Sequence, residues 1–206
     1  MELRSEEPIG VACKQARAPQ RRGTRWWFFA AAALAIAGAF ASAAADTDER
    51  GAFLSAFRCP VIQRLALIHA RGDRKQEDSR FLILALSHGE TSYVQCAFFD
   101  EDRRMMCEAA SGYYLAPEGA PRRFHLPADS VAALARLGFS TDDSHGNFQR
   151  QMETPDPSDF ASVAELLLSA LYETYGARLD SRIEVNSALV RDLGAVLRVS
   201  DCPPIS

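Results

Sequence analysis

The sequence lacks the short motifs that mark the commonest enzyme sites. A nucleophile elbow, a P-loop, a dinucleotide-binding fingerprint and a His-Glu-x-x-His pair are all absent from its 206 residues. The four histidines are scattered singly and no two cysteines have Cys-x-x-Cys spacing, so a zinc site is not predicted. We therefore predict a protein that is not an enzyme and that uses no metal and no cofactor.

Clustered positive charge is also missing from most of the chain. The formal net charge is −4, of which residues 1–45 contribute +3 (six Lys and Arg, three Asp and Glu). Residues 46–206 carry 17 Lys and Arg against 24 Asp and Glu, which gives −7. Binding to nucleic acid needs a positive patch that neutralises phosphates, so nucleic acid is excluded as a partner.

Residues 1–45 have the three parts of a secretory signal peptide. Arg21, Arg22 and Arg25 precede an uncharged apolar run over residues 26–45, which ends in the alanines and serine that a signal peptidase accepts. We predict an exported protein, periplasmic or secreted, with one domain over residues 46–206. The alternative is that residues 26–45 stay uncleaved as a membrane anchor, because about twenty apolar residues can span a bilayer.

The exported domain keeps four cysteines, an even number that permits disulfides in an oxidising compartment. Cys96 and Cys107 lie in two predicted strands joined by a four-residue turn, and this makes them direct cross-strand neighbours. Cys59 and Cys202 are then left to connect the start of the domain to its tail. The alternative is that the central pair are free, buried thiols.

Hydrophobic periodicity predicts an α+β fold, in which an antiparallel sheet (a β-meander) packs with α-helices. Over residues 51–70 we expect a short helix, then a second helix opened by Pro60. The predicted elements that follow are strands at 80–86, 91–99 and 104–110, a helix at 127–137, a strand at 147–153 and a helix that starts at 156–157 and ends at Gly176. For the tail we expect a strand at 183–185 and then a helix.

Five sequence fragments occur in an order typical of one family. They are YVQCA at 93–97, EAASGYYL at 108–115, LARLGF at 134–139, NF at 147–148 and VAELLLSALYETYG at 163–176. The set resembles the TY-Chap domain, which is related to the YbjN-like proteins and the type III secretion chaperones, and its family-like core covers residues 80–176. The resemblance implies a secretion-chaperone-like α+β domain that binds peptides or proteins and does not catalyse.

The strand pattern also predicts an apolar second face of the sheet. A tight turn at His88-Gly89 would pair Val94 with Ile83 and turn Ile83 toward the core. The candidate binding residues on the opposite face are Leu82, Leu84, Leu86, Tyr93, Phe99 and Met106. Such a face must be covered or offered to a partner.

The sequence leaves three ways in which this face could be buried. It packs against the protein's own helices, at Phe53 and Phe57 or at Leu189, Leu193 and Leu197, or it binds a peptide or protein, or it forms a homodimer. We predict a non-enzymatic, exported peptide- or protein-binding module. The alternatives are a small exported enzyme of hydrolase type and a structural envelope protein.

Overall fold

The structure is a computed structural model that describes residues 28–71, 80–87, 92–113, 126–142, 146–153, 156, 159–188 and 195–199, with side chains from residue 46 onward. The chain divides into two compact units, Met1–Ser42 and Ala43–Ser206. The described residues form three helices, α1 (Phe28–Arg71), α2 (Ala128–Arg136) and α3 (Phe160–Tyr175). They also form five strands, β1 (Phe81–Leu86), β2 (Tyr93–Phe99), β3 (Arg104–Ala109), β4 (Phe148–Glu153) and β5 (Ile183–Asn186).

The five strands make one sheet in the order β4-β3-β2-β1-β5, and every neighbouring pair is antiparallel. Strands β1 to β4 are neighbours in the order of the chain, as a meander requires, and β5 adds to the free edge of β1. One face of the sheet packs against the helices, as the Phe98 and Phe160 rings show with their centroids 5.7 Å apart. The predicted α+β class is confirmed.

The β2–β3 hairpin has the predicted register. Phe99 pairs with Arg104 and Cys96 pairs with Cys107, whose sulfurs form a disulfide bond. The first part of the disulfide prediction is therefore confirmed. Cys59 is disulfide-bonded too, but the predicted partner Cys202 lies outside the described residues, so the second pairing stays a prediction.

The predicted β1–β2 register is wrong by one residue. Val94 pairs with Leu84, and Ile83 pairs with Gln95. The Leu86 amide donates to the Ser92 carbonyl at 2.9 Å, so five residues separate the last paired positions and the two-residue turn does not fit. A one-residue shift moves every side chain of a strand to the other face, because side chains alternate along it.

This shift relocates three predicted binding residues. Leu82 and Leu84 are fully buried in the core, and Leu86 packs against the core while partly exposed. Ile83, which was expected to turn toward the core, lies on the opposite face together with Phe81. The predicted turn at His88-Gly89 falls outside the described residues.

Helix α1 runs through Pro60, so the predicted break between two helices is wrong. A proline inside a helix costs about 3 kcal/mol, because it removes one hydrogen bond and its ring crowds the preceding turn. The helix also carries a row of buried apolar side chains at helical spacing on both sides of the proline. They are Phe53, Phe57, Val61, Leu65 and Ile68. Burial of about 1.5–3 kcal/mol for each large side chain outweighs the cost of the proline.

Asp46–Arg71 is the stretch of described helix whose length and apolar composition would allow it to cross a membrane. Its Phe53 and Val61 side chains are fully buried in the protein. Core helices and signal sequences meet the same criterion, so this finding is weak evidence for a membrane span.

The predicted helices at 127–137 and 156–176 are present as α2 and α3. Leu134 of α2 is buried, and Val131 and Leu137 are partly buried and pack against the core. Helix α3 begins at Phe160, later than predicted, and ends where Gly176 adopts a positive φ of 74°, a conformation that glycine tolerates without strain.

The tail after β5 pairs with that strand at residues 195–197 and is not helical there. Strand β5 is present as predicted, but the Val185 amide donates to the Ala195 carbonyl and the Leu197 amide to the Ile183 carbonyl. Leu197 is buried in the core as part of this extended pairing. The expected helix is therefore absent at residues 195–198, while Leu189 and Leu193 fall outside the described residues.

Candidate functional site

The outer face of the sheet is the surface of β1, β2 and β3 that points away from the core. Its side chains are all half-buried: Phe81, Ile83, Ala85, Tyr93, Gln95, Ala97, Phe99, Arg104, Met106 and Glu108. Seven of these ten residues are aliphatic or aromatic, so the outer face is mostly apolar. Tyr93, Phe99 and Met106 are the three predicted binding residues that the structure does place there.

Helix α1 does not cover the outer face with the side chains that were expected to do so. The Phe53 ring lies 5.1 Å from Phe57 and 5.6 Å from Tyr172 of α3, centroid to centroid. Further along α1, His69 contacts the core-side ring of Phe98 at 5.8 Å. Helices α1 and α3 therefore pack together on the core side, so Phe53 and Phe57, one of the covers that the sequence left open, do not lie on the outer face.

Two shallow grooves cross the outer face. The first has a volume of about 350 Å³ and lies among Phe81, Ile83, Gln95, Ala97, Phe99 and Met106. The second, of about 550 Å³, is lined by Ile83, Ala85, Tyr93, Gln95, Glu184 and Asn186. Because Ile83 and Gln95 line both, the grooves adjoin one another. Their volumes fall in the range of ligand sites in proteins.

A row of three polar side chains crosses the sheet, and its first member, Gln95, lines both grooves. Gln95, Glu108 and Gln149 pair directly on β2, β3 and β4. The Gln95 amide nitrogen donates to one Glu108 oxygen at 2.6 Å, and the Gln149 amide nitrogen donates to the other at 3.0 Å. Two neutral amides thus hold the carboxylate in a fixed position on an otherwise apolar surface.

The two ends of the outer face have different chemistry. At the β2–β3 turn the Arg104 guanidinium lies 4.8 Å from the centre of the Phe99 ring and is 3.0 Å from an Asp100 oxygen. At the other end, the Tyr93 hydroxyl accepts a hydrogen bond of 2.8 Å from the Asn147 side-chain amide. The Phe99 ring is thus held by a guanidinium over its face and the Tyr93 ring by a hydrogen bond to its hydroxyl, which pre-organises the surface.

A buried ion pair in the β2–β3 turn was missed by the sequence analysis. Asp102 is only 6% exposed and pairs with both terminal nitrogens of Arg80, which is 1% exposed. His69 approaches the same carboxylate, with its Nε2 3.6 Å from Asp102 Oδ2.

The conformation of this turn depends on that pair. Asp100, Glu101 and Asp102 have φ angles of 54°, 55° and 72°, a region that costs side-chain-bearing residues about 1 kcal/mol each or more. The ion pair holds the turn in this shape at one end of the outer face. The one sequence signal was Arg80, a charged residue immediately before an apolar strand.

No group of three or more His, Cys, Asp or Glu side chains that could hold a metal ion occurs in the described ranges. The acidic turn is accordingly organised by Arg80, Arg103 and Arg104. Glu108 was not among the predicted binding residues, and Ile83 was assigned to the wrong face.

Comparison with known families gives one result. The sequence model of the TY-Chap3 family, described as "T3SS (YopN, CesT) and YbjN peptide-binding chaperone 3", matches residues 63–188. No curated protein and no solved structure matches the chain. The matched region contains all five strands, α2, α3 and the last turns of α1. Since the match covers more than half of the sequence, the chain belongs to the TY-Chap3 family of peptide-binding chaperones.

Proposed function

We propose that this protein is an exported, non-enzymatic module that binds apolar peptide segments on the outer face of its sheet. The observation that carries the proposal is the outer face itself, a half-buried apolar surface with two adjoining grooves, while α1 and α3 pack on the opposite side. Family membership supports the peptide as the class of partner.

Hydrophobic burial would supply the binding energy. Each Å² of apolar surface removed from water contributes about 25 cal/mol, before the entropic costs of association are subtracted. Aromatic side chains such as Phe81 and Tyr93 offer large contact areas with few rotatable bonds, so they lose little entropy when a peptide packs on them.

The test of this surface uses one variant and one matched control. Ile83→Glu places a charge where the two grooves adjoin, and Leu179→Glu makes the same change at a leucine that is 48% exposed and lines neither groove. The probe is a fluorescein-labelled peptide in which leucine and phenylalanine alternate with serine, and anisotropy measures its affinity.

We expect Ile83→Glu to abolish binding of the probe with little change in melting temperature, and Leu179→Glu to bind normally. A large fall in the melting temperature of Ile83→Glu would mean that the outer face is covered by the protein itself. Normal binding by Ile83→Glu would place the peptide site elsewhere.

Export is the second part of the proposal. Asp46 and Arg50 are tied to α3, since the Tyr172 hydroxyl contacts an Asp46 oxygen at 2.9 Å and Arg50 Nε contacts Glu173 at 2.9 Å. Cleavage within the preceding alanines would leave these contacts intact. The Cys96–Cys107 disulfide also suits an oxidising compartment.

N-terminal sequencing of the protein from envelope fractions tests export directly. We expect a mature terminus near Ala44 or Asp46. An intact Met1 on protein recovered from the cytosol would contradict export, and an intact terminus in the membrane fraction would indicate the uncleaved anchor.

A further inference from the structure

The outer face carries a negative charge that the described chain does not neutralise. Glu108 contacts the two glutamine amides, which are neutral. A carboxylate offers about four acceptor positions, so roughly two remain after these hydrogen bonds. Glu108 is therefore an oriented acceptor on an apolar surface with capacity for a further donor.

The other charges on this side do not compensate Glu108. Arg104 is four residues away on the same strand, which is roughly 13 Å, and it is already paired with Asp100. Glu184, which lines the second groove, adds a further negative charge, although Arg182 lies 3.6 Å from it. The centre of the outer face is thus complementary to a positive charge.

We infer that the outer face selects peptide segments in which a lysine or arginine is flanked by apolar residues, and that the cation contacts Glu108. This inference rests on the proposed peptide-binding function. Hydrogen bonds between a cation and a carboxylate are roughly twice as strong as those between neutral groups. The aliphatic stem of the cation would pack on the apolar side chains beside Glu108.

The spacing of the surface favours an extended segment. Glu108 and Gln95 occupy the middle row of the outer face, with Ala97 and Met106 in the row on one side and Tyr93 in the row on the other. Rows that lie two residues apart along a strand are roughly 6.6 Å apart, which is also the distance between side chains i and i+2 of an extended peptide. An extended peptide with the pattern apolar–x–cation–x–apolar can therefore place its cation in the row of Glu108 and its apolar residues in the two neighbouring rows.

The experiment uses three labelled peptides that differ at one position, Ser-Leu-Ser-Phe-Ser-Xaa-Ser-Phe-Ser-Leu-Ser, where Xaa is lysine, glutamine or glutamate. We expect the wild-type protein to bind the lysine peptide about tenfold more tightly than the glutamine peptide, which corresponds to about 1.4 kcal/mol. The glutamate peptide should bind most weakly. Raising the salt concentration should reduce the preference for lysine, because ions screen charges at a half-exposed site.

Two variants assign the preference to one residue. Glu108→Gln removes the charge but can still hydrogen-bond to both neighbouring amides, so it should bind the lysine and glutamine peptides equally. Glu108→Lys should reverse the order and favour the glutamate peptide. Glu184→Gln, the matched control at the rim, should keep most of the preference for lysine.

The possible failures are distinct. If the wild-type protein binds the three peptides equally and Ile83→Glu abolishes that binding, peptide binding stands and the selection of a cation is overturned. If the wild-type protein binds none of them, both proposals are overturned. If sedimentation shows a dimer that Ile83→Glu dissociates, a second copy occupies the outer face and the inference is overturned. Because the salt experiment uses the wild-type protein alone, it decides the charge preference even if a Glu108 variant misfolds.

Discussion

The two faces of the sheet use alternate residues of the same strands but differ in how their charged groups are satisfied. Behind the core face, Asp102 is 6% exposed and is neutralised by Arg80, whose guanidinium lies over the Phe98 ring. On the outer face, Glu108 is half-buried and its contacts are neutral amides. The charge on the core side is therefore neutralised within the fold, whereas Glu108 has no charged partner among the residues that the structure describes.

The largest difference in stability between the two faces is expected when one carboxylate on each face is replaced by an amide. Asp102→Asn leaves Arg80 buried without its counter-charge and should reduce the free energy of unfolding by about 3–5 kcal/mol. Glu108→Gln should reduce it by less than about 1 kcal/mol, because the site is half-exposed and the new amide can still form hydrogen bonds. Urea denaturation of both variants measures the difference. Equal losses would mean that Glu108 also serves folding.

Substitutions at two neighbouring residues of β1 test whether the core face is more tightly packed than the outer face. Leu84→Ala opens a cavity in the core and should cost about 2–5 kcal/mol, whereas Ile83→Ala trims a half-exposed side chain and should cost less than about 1.5 kcal/mol. Chemical denaturation again provides the values. A larger loss for Ile83→Ala would show that β1 has the register expected from a two-residue turn and that the two faces are interchanged.

The smallest expected effect is a pH dependence of the stability, which should involve Tyr175 on the core side but not Tyr93 on the outer face. Burial raises the pKa of the Tyr175 phenol above its ordinary value of about 10, with a further contribution from Tyr93, and the Tyr175 hydroxyl donates to the Ala110 carbonyl at 2.6 Å. The unfolded chain releases this proton near pH 10 while the folded protein retains it. The stability contributed by Tyr175 is therefore complete below pH 10 and is lost above it, by about 1.4 kcal/mol per pH unit.

Unfolding experiments between pH 9 and 11 measure this loss. The stability of the Tyr175→Phe variant should fall less steeply with rising pH than that of the wild type, because phenylalanine has no hydroxyl that can ionise at this position. The Tyr93→Phe variant, on the outer face, should keep the decline. Identical slopes for Tyr175→Phe and the wild type would contradict the assignment to Tyr175.

Sequence reasoning succeeded where local chemistry determines the structure. The four residues between β2 and β3 determined the register of that hairpin, and with it the Cys96–Cys107 pair. The helical spacing of apolar residues identified α3, and Gly176 marked its end. In each case neighbouring positions in the chain carry the necessary information.

It failed where the information is tertiary. Strand β1 reads FLILAL, so both of its faces are apolar and no alternation shows which one is buried. The Pro60 break was wrong because packing on either side of the proline outweighs its local cost. The inward turn of Asp102 depends on Arg80, which is 22 residues away, and no spacing rule connects the two.

The Cys96–Cys107 bond makes the rigidity of the outer face depend on the redox state of the compartment. Cys96 is adjacent to Gln95 and Cys107 to Glu108, so the disulfide joins the two strands one position from the polar row. In a reducing compartment these thiols stay separate, and in an oxidising one they bond. The bond fixes the strands covalently, and a surface fixed in advance loses less entropy on binding. If the outer face binds peptides as proposed, the reduced protein would bind them more weakly than the oxidised protein.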